Sequence, residues 1–344
     1  MHKFSRISLA FSGALLSAAL LGACGDDASP TIYNPTAQSS SDQQTAQVSS
    51  SSTEQLPASS ADAASSSSET AVNQSSSSET LLPPPSSSSA TPTDPTCVET
   101  PVATIAIDSI GLADIADVFK TVRCNEKAVF VIRHGERDRS QFDKETPLTY
   151  WENEPDSTNG EPSDGVRQAI AVGKKLISAD EFVYTHTKYL RTEQTCFYIA
   201  QGRGQQTFTH DSSEIYSISW YKKDKDRYKF YEDSTKNVRI VIAGWAYDNL
   251  FSDAFYDFKE KTEEIVKTHI APDYASMSKF RVICSHDDFI LPLSVYASNG
   301  TVNYRFHDPA SRHWPYFLTG VAVIIDDKNQ IRYVPFKGLG TGAE

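Results

Sequence analysis

The sequence predicts an α/β fold for residues 96–344, a three-layer sandwich with a mostly parallel central sheet, helices on both faces and a C-terminal β-hairpin. Three observations carry this. After Cys97, short aromatic and β-branched blocks alternate with helical patterns, the alternation from which parallel sheets are built. Residues 128–132, Ala-Val-Phe-Val-Ile, form a continuous apolar run, as expected of a strand buried on both faces. Residues 321–325 and 331–335 are apolar blocks around Asp326-Asp327-Lys328-Asn329, a hairpin signature.

The elements follow in order. Val166, Ile170, Gly173 and Ile177 recur at helical spacing behind Ser163 or Asp164, either of which is a good N-cap. Residues 182–185 read as the next strand, and a helix is expected from Arg191 through Ala200. Residues 238–243 are a further strand candidate. Phe251, Phe255, Phe258, Thr262, Ile265 and Ile270 line one face of a long helix that Pro272 follows, in keeping with proline's exclusion from helix interiors. Residues 280–284 read as a buried strand.

The first 95 residues have a different character. His2, Lys3 and Arg6 precede an apolar run over residues 7–21, the layout of a secretion signal, and that run is too short to span a bilayer. It ends Leu21-Gly22-Ala23-Cys24, which resembles the lipobox of bacterial lipoproteins. The resemblance implies a signal peptide over residues 1–23, lipidation of Cys24 and, with Gly25 next, an outer-membrane address. An ordinary signal peptide with a nearby cysteine is the alternative. Acyl chains on Cys24 would anchor the chain durably.

Residues 24–95 read as a disordered Ser/Pro/Thr-rich tether, in which Ser-Ser-Ser-Ser-Glu-Thr occurs at Ser65 and again at Ser75. Such a composition buries too little apolar surface to offset the entropy of ordering. Residues 26–95 carry eight acids and no Lys or Arg, so they supply 8 of the net 12 negative charges. The acidity therefore says nothing about substrate, and no basic stripe points to nucleic acid. Four cysteines remain after Cys24. In an oxidising compartment they allow two disulfides, Cys97–Cys124 and Cys196–Cys284 being preferred, with free buried cysteines the open alternative.

The chemistry gathers at strand ends. Arg133-His134-Gly135-Glu136-Arg137 directly follows the first buried strand, where open α/β sheets place their ligands. A histidine flanked by guanidinium groups, with a glycine allowing close backbone approach, suits a tetrahedral oxyanion. The second strand ends in Thr185-His186-Thr187-Lys188-Tyr189-Leu190-Arg191-Thr192-Glu193-Gln194-Thr195, and a later one in Ser285-His286-Asp287-Asp288.

This ordered set resembles the histidine phosphatase superfamily, the phosphoglycerate-mutase-like and acid-phosphatase-like enzymes, over about 215 residues. The resemblance implies His134 as nucleophile, Arg133, Arg137, Arg191 and His286 as phosphate ligands, and Asp287 as the acid that protonates the leaving group. Glu136 or an acid of the insertion at residues 150–164 are the alternative donors. Pro147-Leu148-Thr149 and Gly165-Val166-Arg167-Gln168-Ala169 look like the family's segment after the nucleophile. Arg139 stands where the acid-phosphatase branch has proline.

A neutral imidazole attacks phosphorus, and the resulting phosphohistidine divides hydrolysis into two displacements. Arginines and a protonated second histidine would neutralise the equatorial oxygens. No cofactor and no metal is expected: His210, His269, His307 and His313 read as surface or core-edge residues, and their spacing gives no metal pattern.

The function expected is extracytoplasmic phosphomonoester hydrolysis on a small-molecule or glycan substrate, in the cell envelope. A phosphosugar mutase and a catalytically silent module binding phosphorylated or sulfated glycans are the alternatives. Release of inorganic phosphate from a generic aryl phosphate separates the module from the enzymes.

Overall fold

A computed structural model describes Cys97 and residues 101–140, 143–152 and 160–344. The signal segment, Cys24, the tether over 24–95 and residues 153–159 of the insertion lie outside the described residues. Among the described residues no helix is long and apolar enough to cross a membrane.

Seven strands form one sheet in the order β1-β7-β6-β2-β5-β3-β4. They are β1 Ala113–Asp114, β2 Glu126–Arg133, β3 Phe182–His186, β4 His210–Ser212, β5 Phe280–Ser285, β6 Thr319–Asp326 and β7 Ile331–Lys337. The β1–β7, β2–β5, β3–β5 and β3–β4 pairs are parallel, and the β2–β6 and β6–β7 pairs antiparallel. The mostly parallel sheet and the C-terminal hairpin thus match the expectation. At the hairpin tip Asp326 Oδ1 accepts from Lys328 N at 3.0 Å and Gln330 N at 2.8 Å, an aspartate-built turn.

β2 lies between β5 and β6, and Val129, Phe130 and Val131 are wholly buried, which accounts for its unbroken apolar run. β5 beside it and β3 on the far side of β5 run the same way, so the C-terminal ends of all three open on one edge of the sheet. At the opposite end Glu126 sits buried between Arg123 and Arg332, with oxygens 2.8–2.9 Å from their guanidinium groups. Burial alone would raise its pKa, but the two arginines bring it down to about 2.

The α-helices among the described residues are α1 Ile115–Lys120, α2 Gly165–Lys175, α3 Leu190–Gly202, α4 Lys225–Thr235, α5 Val238–Asp248, α6 Phe258–Ile265 and α7 Asp287–Ala297. Asp164 caps α2 by accepting from Arg167 N at 2.9 Å. Ile177, placed on that helix by its spacing, lies past its end and is 58% exposed.

Two expectations are corrected. Residues 238–243 form the first half of α5, not a strand. Asn237 caps this helix by accepting from Arg239 N at 3.0 Å, and the apolar run continues through Trp245 into buried contact with the rest of the core. A short apolar block is ambiguous between the two states until its flanks decide it. The long helix over 251–270 is shorter: Phe251 has φ of 59°, Asp257 caps α6, and the helix closes in a wide π turn over Val266–Ile270. A β-carbon-bearing residue at that φ cannot continue a right-handed helix.

Cys97 and Cys124 form the expected disulfide, 27 residues apart, a closure worth roughly 3–4 kcal/mol on the chain-entropy model. The second expected bridge is absent. Cys196 and Cys284 are free and buried, and Cys196 Sγ donates to Thr185 O at 3.4 Å.

Candidate active site

The common strand edge gathers the predicted residues around a cavity of about 410 Å³. β2 delivers Arg133, the loop after it His134 and Arg137, α3 Arg191, and the β5–α7 junction His286, Asp287 and Asp288. Every residue that the sequence assigned to catalysis or phosphate binding lines this cavity.

His134 is 3% exposed and tightly framed. Its N–H donates to Ser285 O at 2.9 Å, and Thr195 Oγ1 accepts from Gly135 N at 3.0 Å. The ring Nδ1 lies 2.7 Å from Gly135 O. A carbonyl only accepts, so Nδ1 carries the proton and Nε2 keeps a lone pair. Arg191 Nε donates to that Nε2 at 3.3 Å. Burial, followed by the charges of His286, Arg133 and Arg191, holds the imidazole well below the ordinary histidine range. It is therefore neutral, the state a nucleophile requires.

The segment after His134 is packed from behind. Gln168 Oε1 accepts from Glu136 N at 3.0 Å and Gln194 Oε1 from Leu148 N at 2.8 Å. Gly165 opens α2 directly against this loop, where a Cβ would stand 1.9 Å from Glu136 O. Only glycine permits that approach.

His286 is the N-cap residue of α7, and its Nε2 is 2.9 Å from Thr187 Oγ1. Its ring meets that of His134 edge-on, centroids 5.5 Å apart. Burial and Arg191 push its pKa down to about 3. A bound phosphate supplies the negative charge that would restore its proton.

Arg133 is clamped. It donates to Pro315 O and to Glu344 Oε1 at 2.8 Å, pairs with Asp287 Oδ2 at 3.2 Å, and lies over the Phe317 ring at 4.2 Å. Its Nε, by contrast, is buried without a hydrogen-bond partner among the described residues. A buried donor left unpaired is costly, and an anion oxygen would satisfy it. Burial, then the neighbouring Arg137, lowers Arg191 to about 10, the signature of guanidinium groups crowded without enough counter-charge.

The carboxylates divide the labour unexpectedly. Asp287 Oδ2 accepts from Trp314 Nε1 at 2.8 Å, and its Oδ1 from Asp288 N at 3.1 Å. Although burial would raise its pKa, Arg133 and this indole hold it well below the usual carboxylate range. Its side chain keeps 25% exposure, toward the cavity. Asp288 Oδ1 is buried without a hydrogen-bond partner among the described residues, and burial plus the Asp287 charge push Asp288 up to about 7. Of the two neighbouring carboxyls, Asp288 is thus the one whose surroundings favour the protonated form and Asp287 the one whose surroundings favour the charge.

Among the described residues, the alternative donors do not line the cavity. Glu136 faces a separate recess of about 230 Å³, lined also by Glu161 and Tyr316. Glu161 accepts from Gly340 N at 2.7 Å, and Asp164 is spent on its cap and on Arg167 at 2.6 Å. Glu152 is exposed, and Glu154 and Asp156 lie outside the described residues.

Sequence reasoning missed several members. Thr187, Lys188 and Tyr189 stood inside the quoted second motif without a role. Trp314, Phe317 and Glu344 had no local signal, since each reaches the site only through folding. Sequence also gave no hint that His186 and His210 approach to 3.0 Å beside Glu193.

The chain matches no protein-family model and no curated protein. Several solved structures resemble it in fold. Phosphoglycerate mutase from Bacillus anthracis aligns at 13% identity over 62% of this chain and 93% of its own, with a TM-score of 0.38. The mycobacterial glucosyl-3-phosphoglycerate phosphatase aligns at 12% identity over 61% and 97%, with a TM-score of 0.34. Phosphoserine phosphatase from Entamoeba histolytica, solved with 3-phosphoglyceric acid, aligns at 13% over 63% and 97%, with a TM-score of 0.33. The function proposed below rests on the cavity's own residues.

Proposed function

We propose that this chain hydrolyses phosphomonoesters through a phosphohistidine on Nε2 of His134. The observation that carries the reading is the fixed tautomer of that ring, its lone pair turned into a cavity lined by three guanidinium groups.

The phosphoryl group docks against Arg133, Arg137 and Arg191, where its charge meets the unpaired Arg133 Nε. Nε2 of His134 attacks phosphorus in line, the N–P bond forms and the ester P–O bond breaks. The leaving alkoxide takes the proton of Asp288. Water then attacks phosphorus, returns a proton to Asp288 and releases inorganic phosphate, leaving His134 neutral. Asp287 stays ionised and holds Arg133 in place. Positioning and charge neutralisation are most of what phosphoryl transfer requires of a protein.

The deciding experiment is rapid quenching of the chain with a phosphomonoester at neutral pH, followed by peptide mapping. An acid-labile phosphoryl group on the peptide containing His134 is expected. Its appearance on His286, or turnover with no adduct at any time, would refute the mechanism.

We read the unit from residue 96 as carried on the 24–95 tether from a lipidated Cys24, which would place the reaction outside the cytoplasm. Radiolabelled fatty acid should enter the wild-type chain and not Cys24→Ala. Label persisting in that variant would remove the anchor from this account.

A further inference from the structure

A second cluster of polar side chains lies beside the phosphate cavity and takes no part in the reaction above. His186 ends β3, and His210 begins the neighbouring β4, pairing with Tyr184. Residues two apart on a strand share a face, so the two imidazoles lie diagonally on one face of the sheet. Glu193 reaches them from α3, two residues beyond Arg191. Two residues is about 200° around a helix, so one helix sends Arg191 to the phosphate cavity and Glu193 to the other side.

The ligand atoms are arranged for a cation. His186 Nδ1 donates to Thr187 O at 2.8 Å, which leaves Nε2 with its lone pair. That nitrogen faces His210 Nδ1 at 3.0 Å, and one Glu193 oxygen completes a set in which all three atoms lie within 4.8 Å of one another. Ligand nitrogens around tetrahedral Zn²⁺ stand about 3.3 Å apart, given Zn–N distances of about 2.0–2.1 Å.

The surroundings hold this geometry. The Phe208 ring stacks on His210 with centroids 4.3 Å apart at 13°, which fixes the imidazole plane. Thr187 O is the kind of carbonyl partner that orients metal-binding histidines. The nearby charges include Asp211, whose carboxylate is 3.4 Å from Arg281, and the Glu214–Lys188 pair at 3.2 Å.

We propose that His186, Glu193 and His210 bind one divalent transition-metal ion of the Zn²⁺ class. Two imidazoles and one carboxylate select such ions over Mg²⁺ or Ca²⁺, which prefer oxygen ligands. The ion joins β3, β4 and α3 at the cavity rim. Thr187 accepts from His186 through its carbonyl and bonds His286 Nε2 through its hydroxyl at 2.9 Å. The ion therefore steadies a residue that touches the phosphate pocket while taking no part in the displacement.

The test titrates Co²⁺ into the full chain, prepared without a polyhistidine tag and stripped of metal, following the visible absorption of the bound ion. One Co²⁺ per chain, displaced by Zn²⁺, is expected. His210→Ala and Glu193→Gln should each weaken binding by more than about 100-fold, since losing even an outer partner of a ligand costs 10–100-fold. His210 is exposed, so its replacement tests binding without opening the core, and Glu193→Gln preserves size. His134→Ala should bind Co²⁺ as the wild type does. Absence of stoichiometric binding, unchanged binding in both rim variants, or loss confined to His134→Ala would overturn the proposal, the last by moving the ion to the phosphate pocket.

Discussion

Two pairs of histidines stand at the same edge of the same sheet, and their neighbours give them opposite chemistry. His134 and His286 are surrounded by Arg133, Arg137 and Arg191, so the space between them attracts an anion. His186 and His210 face Glu193, so the space between them attracts a cation. Both pairs contain a ring whose Nδ1 is tied to a backbone carbonyl, at 2.7 Å for His134 and 2.8 Å for His186. The same tautomer thus yields a nucleophile in one place and a ligand in the other. What differs is the charge contributed by a third element, and Thr187 lies between the two clusters, bonded to one through its carbonyl and to the other through its hydroxyl.

The largest effect that tests this division is at the nucleophile. His134→Ala should lower kcat by at least about 10⁴-fold, because removing a nucleophile leaves only binding and electrostatic assistance. Orthovanadate or phosphate should still bind, measured by calorimetry, because the arginines remain. Retained turnover would mean that His134 is merely another ligand and erase the contrast with His186.

Next comes the proton donor. Asp288→Asn should slow alkyl phosphates by about 10²–10⁴-fold, the usual contribution of general acid catalysis, and aryl phosphates far less because phenolates leave unaided. Asp287→Asn should instead weaken substrate binding, as Arg133 loses its partner at 3.2 Å. The reverse pattern in steady-state kinetics would return the donor role to Asp287.

A smaller effect follows from pH. A general acid works only while protonated, so kcat/KM for an alkyl phosphate should be level below neutrality and decline tenfold per unit above the Asp288 value of about 7. No fall from protonation of the histidines is expected near pH 5, since His286 lies down at about 3. The decline should vanish in Asp288→Asn; its persistence there would point to another group.

The smallest effect on turnover concerns the cation cluster. Exhaustive EDTA should leave the hydrolytic rate within about twofold, as no step of phosphoryl transfer needs the ion. It should nonetheless lower Tm, because a ligand at 100 times its Kd stabilises by about 2.7 kcal/mol, or roughly 5 °C or more in a domain of this size. A collapse of activity reversed by Zn²⁺ would place the metal in the chemistry and dissolve the distinction between the clusters.

Strands β2, β3 and β5, and the residues gathered at their ends, are legible in the sequence. Each of those strands is a compact apolar block, and His134, Arg133, Arg191 and His286 lie within a few residues of its end. Parallel pairing then brings the ends together whatever the loops do. The Cys97–Cys124 bridge was legible for a similar local reason, since it brackets one short segment.

The remaining features depend on residues distant along the chain, which folding alone brings together. Asp288 replaces Asp287 as the proposed proton donor because Trp314, 27 residues away, donates to Asp287 while Asp288 lies buried against its neighbour's charge. Residues 238–243 became helical because their flanks and core contacts outweighed a β-branched composition that favours strands. His210, unremarkable beside Asp211 in sequence, acquired its partner through β3–β4 pairing, and Glu193 reached both through the turn of α3. Local pattern sets where a side chain emerges, but charge and proton state depend on what the fold packs against it, and that information is spread over the whole chain.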